Sequence, residues 1–404
     1  MTLTRKAFLK MLGAGALSAH LPAGRGLASS RMETARSDAK RLKIQDVEIY
    51  YFDIPLKEPF TITLGTITTS SGVLIRVVTD AGITGIGESS PFQPVTGDTQ
   101  ETNVVAARAI REMLKGKDPL AIESAHKLVG GFLHSNPALI AAFDMALYDI
   151  LGKAAGLPVF RLLGGDKTTF ETDVTTGIDT PENMVKSVQT RLAAGFKTFK
   201  IKVGMDPDAD VARLQAIRDA IGYDYGIRID ANQGWTVAQA VTALKAMEKF
   251  KIQFCEQPGL YSDIAGMKQV RDESPIGIMA DESLFSPTDA LKLINAAACD
   301  YFNIKLMKAG GMTNGLRIAL IGEAANIRCM LGCMIETRLG LTAAAHVHGA
   351  CGNIVFADLD GYFSHTFDPI VDGMAVKDGM ITLPEKPGLG VDVDPAFLKK
   401  LKRV

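Results

Sequence analysis

FKIKV (199–203), YGIRID (225–230), IQFCE (252–256), IGIMAD (276–281) and YFNIK (301–305) decide how this chain folds. Each is a short apolar run that ends on, or next to, a charge: Lys202, Asp230, Glu256, Asp281 and Lys305. The spacing between those charges is 28, 26, 25 and 24 residues. A helix-length segment follows most of the runs. Strand–loop–helix units of this length, with a charge at each strand's C-terminal end, predict a (β/α) barrel with its site at one mouth.

Composition sets the outer bounds. A chain of 404 residues exceeds one ordinary domain. Its apolar content of 47% and charged content of 22% are those of a globular protein. A net charge of −1 gives no electrostatic case for nucleic acid or an anionic membrane. No run of 18 apolar residues offers a spanning helix. Cys255, Cys299, Cys329, Cys333 and Cys351 are odd in number and lie in apolar surroundings, so they read as buried small hydrophobes.

Outside the barrel, 42–56 reads as a strand and 60–71 as a Thr-, Gly- and Ser-rich loop. Residues 72–79 and 83–88 complete a meander through the turn at 80–82. Helices are expected over 101–114, 119–129 and 137–155, the last stopped by Gly156-Leu157-Pro158. This is an α+β domain over 41–165. The barrel starts at 170–176, fills 166–362, and includes strands at 329–334 and 354–357. The Gly- and Pro-rich tail over 363–404 returns to cover the first domain. His346 and His348, two apart in an alanine-rich helix, do not face each other and read as packing residues.

Residues 1–40 have the layout of a processing segment: Thr4-Arg5-Lys6-Ala7-Phe8-Leu9-Lys10, a mild apolar run, then small residues near Gly26–Ser29. The segment resembles a twin-arginine export signal with Lys6 in place of the second arginine, which implies a periplasmic protein. The alternative is a disordered tail on a cytoplasmic one.

Asp230, Glu256 and Asp281 stand at three consecutive strand ends, which converge at a barrel rim. Three carboxylates there repel unless a cation intervenes. All-oxygen ligands favour a hard metal, Mg²⁺ before Mn²⁺ or Ca²⁺. Lys200 and Lys202 share one face of their strand, and each lowers the other's pKa. Lys305 comes from across the barrel. A metal flanked by lysines suits abstraction of a proton next to a carboxylate.

These motifs, with FDMALYD (143–149), Gly152-Lys153, RLLGG (161–165), DANQGW (230–235), CEQP (255–258), ADES (280–283) and NIKLMKAGG (303–311), resemble the enolase superfamily and its muconate-lactonizing-enzyme-like subgroup. The resemblance implies a (β/α)₇β TIM-type barrel under an α+β capping domain built from both chain ends. It implies Asp230, Glu256 and Asp281 as Mg²⁺ ligands and Lys202 and Lys305 as acid/base catalysts. Lys200 would contact the substrate carboxylate and tune Lys202. Asp358-Leu359-Asp360 resembles the D-x-D with which dipeptide epimerases bind their substrate's amino terminus. Thr175, Met334 and Ile335 would line the pocket. Epimerases selective for Ala-Glu resemble one another in an arginine within the first-domain loop, and 60–71 carries no charge. A neutral or apolar second residue fits that loop better.

The leading expectation is therefore a Mg²⁺-dependent dipeptide epimerase. Other reactions of the subgroup are the alternative: acylamino-acid racemase, o-succinylbenzoate synthase or muconate-type cycloisomerase. An exported peptide-binding protein without turnover is a third, against which Lys202 and Lys305 argue. Barrels of this kind often assemble, so a homo-oligomer is possible.

Overall fold

The computed structural model describes residues 41–404, and the expected processing segment lies outside them. Three antiparallel strands open the described chain, in the order β1 (Ile44–Ile62), β2 (Gly65–Thr79) and β3 (Thr84–Ser89). Val47, Ile49, Val73, Ile75 and Val77 turn one face of this sheet onto helices Gln100–Leu114, Ile122–Phe132 and Pro137–Ala155. The last helix lies unusually close to β3. A Cβ at Gly85 or Gly87 would sit 2.0 or 1.9 Å from the carbonyl oxygens of Ala146 and Ala142, so only glycine admits the approach.

The residues expected to form a loop at 60–71 are instead the arms of a hairpin. β1 and β2 stay paired out to Ile62 and Gly65. Thr61, Ile62, Thr66, Ile67, Thr68 and Thr69 are β-branched, and Gly65 turns the chain at φ 135°. The second helix also differs, running over Ile122–Phe132 rather than 119–129. Asp118 Oδ1 takes the Leu120 N–H into a turn ahead of it.

The expected barrel is present. Eight strands pair in sequence, each parallel to the next: β5 (Val174–Thr176), β6 (Thr198–Lys202), β7 (Gly226–Asp230), β8 (Cys255–Glu256), β9 (Ile278–Ala280), β10 (Tyr301–Lys305), β11 (Arg328–Gly332) and β12 (Ile354–Ala357). The Asp173 N–H, donated to Ala357 O at 3.1 Å, ties the first strand to the last. Every interval between consecutive strands carries a helix. The run expected to start the barrel divides at Thr172, and its first half, β4 (Thr169–Glu171), pairs with the tail strand Met380–Thr382.

The barrel interior is layered. Phe254, Met279 and Met330, with Tyr301 and Phe356 against them, plug one end. Arg228 lies over the Phe356 ring at 4.8 Å, pairs with Asp173 at 2.6 Å and donates to Ala357 O. Register puts Lys200 beside Arg228, and Lys202 beside Asp230 two residues nearer the mouth.

The tail returns to the first sheet. His365 bridges Leu56, Arg403 bridges Tyr50, and the Val404 N–H reaches Ile49 O at 3.0 Å. His346 and His348 are buried packing residues. His346 accepts from the Phe160 N–H and meets Leu389 O, and His348 stacks on Phe170 with ring centroids 3.7 Å apart. All five cysteines are free. No helix among the described residues is long and apolar enough to cross a membrane.

Candidate active site

Each of the five charges read from the strand runs stands at the mouth end of its strand. Asp230, Glu256 and Asp281 each bring one carboxylate oxygen within 4.8 Å of the other two, all buried. Asn232, held at φ 39°, donates its backbone N–H to Asp230 Oδ1 at 2.9 Å. Asn303 donates to Glu256 Oε1 at 2.8 Å. These bonds aim the carboxylates. Burial and then the neighbouring Asp230 push the Glu256 carboxyl up to about 8. Burial would raise Asp230 as well, but Lys202 and Lys200 outweigh it and hold that carboxyl at about 2. A compact cluster of three buried carboxylates, with no nitrogen or sulfur donor, fits a hard divalent cation.

Two ammonium groups flank the cluster from strands β6 and β10. Lys202 Nζ lies 2.6 Å from Asp230 Oδ2 and 3.1 Å from Asn232 Oδ1. Lys305 Nζ lies 2.8 Å from Asp281 Oδ2. Burial disfavours the charge on Lys305, yet Asp281 overcomes it and holds the ammonium above its ordinary range.

Lys200 departs from expectation. Its ammonium, with a side chain only 1% exposed, meets Asp358 at 2.8 Å, Glu256 at 2.9 Å and Asp230 at 3.1 Å. Three carboxylates outweigh burial and keep Lys200 well above the usual lysine range, so the mutual lowering expected of the K-x-K pair does not govern it. It sits below the mouth, joining the carboxylate cluster to Asp358.

Asp358 and Asp360 follow β12, and a carboxylate oxygen of each lies within 4.8 Å of the other and of Cys333 Sγ. Thr175 reaches both, donating its N–H to Asp360 Oδ2 at 2.6 Å and its hydroxyl to Asp358 Oδ1 at 3.3 Å. Cys333 Sγ is 3.8 Å from Asp360 Oδ1. Burial and then Asp358 push Asp360 up to about 6, while Lys200 overcomes burial and holds Asp358 well below the carboxylate range. Met334 and Ile335 lie on the loop after β11. Met334 O accepts from Ser90 Oγ, and Ile335 O accepts from Ser70 Oγ at 2.9 Å. Ile335 holds φ 63°, a strained geometry for a β-branched residue.

The β1–β2 hairpin reaches the same mouth. Thr63 Oγ1 donates to Asn232 O at 2.6 Å, and Ile178 N–H donates to Thr61 O at 3.1 Å. Arg76 pairs with Glu48 within the sheet, away from the hairpin tip.

Several residues of the site went unread in the sequence. Glu88 accepts from Thr337 N–H, Thr337 Oγ1 and Gly340 N–H, which caps a barrel helix from the first domain. Glu282, next to Asp281, accepts from Asn232 Nδ2 at 3.1 Å, and its other oxygen has no hydrogen-bond partner among the described residues. Lys308 is wholly buried behind Asp281. The one signal for Lys308 was its place one helical turn after Lys305.

Residues 45–164 match the mandelate racemase/muconate lactonizing enzyme N-terminal domain, and 183–397 the enolase C-terminal domain-like family. The hydrophobic dipeptide epimerase of Enterococcus faecalis is 41% identical over 352 residues, which cover 87% of this chain and 99% of that one. The L-Ala-D/L-Glu epimerase of Bacillus subtilis is 39% identical, covering 89% and 99%. The crystal structure of the Cytophaga hutchinsonii dipeptide epimerase, complexed with Mg and D-Ala-L-Val, superposes with a TM-score of 0.88 at 37% identity, covering 90% and 99%. With both halves of the barrel-and-cap architecture matched, the chain belongs to the mandelate racemase/muconate lactonizing enzyme family of the enolase superfamily.

Proposed function

We propose that this protein is a Mg²⁺-dependent dipeptide epimerase that inverts the α-carbon of the C-terminal residue. One observation carries the reading: Lys202 and Lys305 approach the carboxylate cluster from different strands, each anchored on a separate member of it. Asp230, Glu256 and Asp281 would hold Mg²⁺, which supplies positive charge for the substrate carboxylate.

An α-proton beside a carboxylate is only weakly acidic, so the chain must both accept it and return it. One lysine, in its neutral form, takes the proton from one face of the α-carbon. The other, as an ammonium, delivers a proton to the opposite face. The reverse reaction exchanges their roles. Asp358 and Asp360 accept hydrogen bonds from the dipeptide's ammonium, with Thr175 fixing both carboxylates. The named activities of the relatives support the same reading.

The second side chain of the dipeptide is proposed to be neutral or apolar. The hairpin tip at the mouth consists of Thr61, Ile62, Thr63, Leu64 and Gly65, with no cation to meet an acidic side chain. Purified protein with Mg²⁺ and pooled L,L-dipeptides in D₂O is expected to wash deuterium into the C-terminal α-position of Ala-Xaa dipeptides with apolar Xaa. Absence of exchange across the library, with metal binding shown separately, would sink the proposal. Exchange only with Ala-Glu would overturn the side-chain preference alone.

A further inference from the structure

We infer that Lys308 is a positioning residue that fixes Asp281 as a one-oxygen metal ligand. The inference rests on the proposed cation site of Asp230, Glu256 and Asp281.

Lys308 lies on the single turn Leu306–Ala309, directly after β10. Its side chain is fully buried. The ammonium meets Asp281 Oδ1 at 2.5 Å and donates to Leu284 O at 3.1 Å, to Asn303 O at 3.2 Å and to Asp281 O. Lys305, three residues earlier, meets the other carboxylate oxygen, Oδ2. The two ammonium groups therefore divide one carboxylate between them. Lys308 occupies Oδ1, so Oδ2, which meets Lys305, is the oxygen that would turn to a cation.

The carbonyls of Leu284 and Asn303 need only donors, which a neutral amide could supply. A buried ammonium is costly unless an anion requires it. Asp281 is the anion in contact, and it stands among Asp230, Glu256 and Glu282, all buried. Lys308 places its ammonium against Asp281 from behind, fully buried and away from the mouth. Its own placement is secured by the capping domain. Gly311, at φ 110°, packs against Asp144, and Asp144 accepts from the Thr313 N–H at 3.0 Å and from the Thr313 hydroxyl at 2.6 Å.

The test is Mn²⁺ binding, followed by electron paramagnetic resonance, in wild type, Lys308→Met, Lys308→Arg and Leu284→Ala. Leu284→Ala loosens the same loop, because its buried side chain packs in the core, but it keeps the ammonium. Lys308→Met is expected to bind Mn²⁺ about tenfold to a hundredfold more weakly, as loss of an outer partner of a metal ligand does. Its kcat should recover towards wild type at saturating Mg²⁺, while Leu284→Ala loses melting temperature but keeps its metal affinity. If Lys308→Met does not fold, Lys308→Arg decides. It keeps the charge but cannot place a compact ammonium among these four oxygens, so its affinity should also fall. Wild-type affinity in whichever of these variants folds, or equal loss in Leu284→Ala, overturns the assignment. Wild-type protein that binds no Mn²⁺ overturns the cation site itself.

Discussion

Asp358 has two partners competing for it: Lys200 beneath and, in the proposed reaction, the substrate ammonium above. Among the described residues no ammonium forms an ion pair with Asp360, whose carboxylate accepts from the Thr175 N–H and lies 3.8 Å from Cys333 Sγ. The two aspartates should therefore respond differently to the same substitution. Asp358→Asn is expected to lower stability by roughly 1–3 kcal/mol, because a buried ammonium loses its nearest carboxylate, and to raise the dipeptide KM as well. Asp360→Asn should raise KM with little change in stability. Thermal melts and steady-state kinetics on the two variants check this, and equal melting temperatures would contradict the role given to Lys200. The lysines give a sharper test. In D₂O, Lys202→Met and Lys305→Met should each abolish net epimerisation. Each should still exchange the α-proton of only one epimer, the one whose proton faces the surviving base. Exchange of both epimers by either variant would exclude the division of faces.

The hairpin tip packs on the loops after β5 and β7 at the barrel mouth. Gly204, at φ 108°, follows β6, and a Cβ there would lie 2.4 Å from Ala231 O and 2.8 Å from Thr63 Cγ2. Gly204→Ala should therefore push the hairpin tip and the chain after Asp230 apart, costing about 1–3 kcal/mol of stability. It should lower kcat/KM more than Thr63→Val, which removes the hydroxyl's shared hydrogen bond to Ala231 O and Asn232 O, worth about 0.5–1.5 kcal/mol. Urea denaturation with kinetics on both variants measures the order. The hairpin was not legible because its alternating Thr and Ile residues carry both turn-like polarity and strand propensity. Pairing over the length of β1 and β2 settled which prevailed.

Across the whole molecule, stability should depend on metal and on pH. A cation bound only by the folded chain raises stability by mass action, about 2.7 kcal/mol at a hundred times its dissociation constant. Melting with Mg²⁺ against EDTA should show that shift, and Asp281→Asn should reduce it. For pH, burial pulls His346 down to about 4, and burial and then Lys167 pull His348 down to about 3. Unfolded, each histidine titrates near its ordinary value of about 6.5. Between there and about 4 the unfolded chain binds more protons, so this contribution to stability is intact above about 6.5. It is lost as pH falls, by up to about 1.4 kcal/mol per pH unit for each histidine. His346→Gln should flatten that acid slope in urea melts.

The sequence alone determined the barrel, because five consecutive strands end on or beside a charge and recur every 24 to 28 residues. It also determined the cluster of Asp230, Glu256 and Asp281 with Lys202 and Lys305, because strand ends in register must converge. Tertiary structure decided what each charge is paired with. Lys200 reads in sequence as one half of a K-x-K pair, but register sets it two residues deeper than Lys202, where Glu256, Asp230 and Asp358 surround it. Lys308 reads as an ordinary helical lysine until the turn after β10 folds it behind Asp281. Spacing fixes which residues share a rim. The partners of a buried charge include segments 24 to 158 residues away, and only the closed barrel brings them within a hydrogen bond's length.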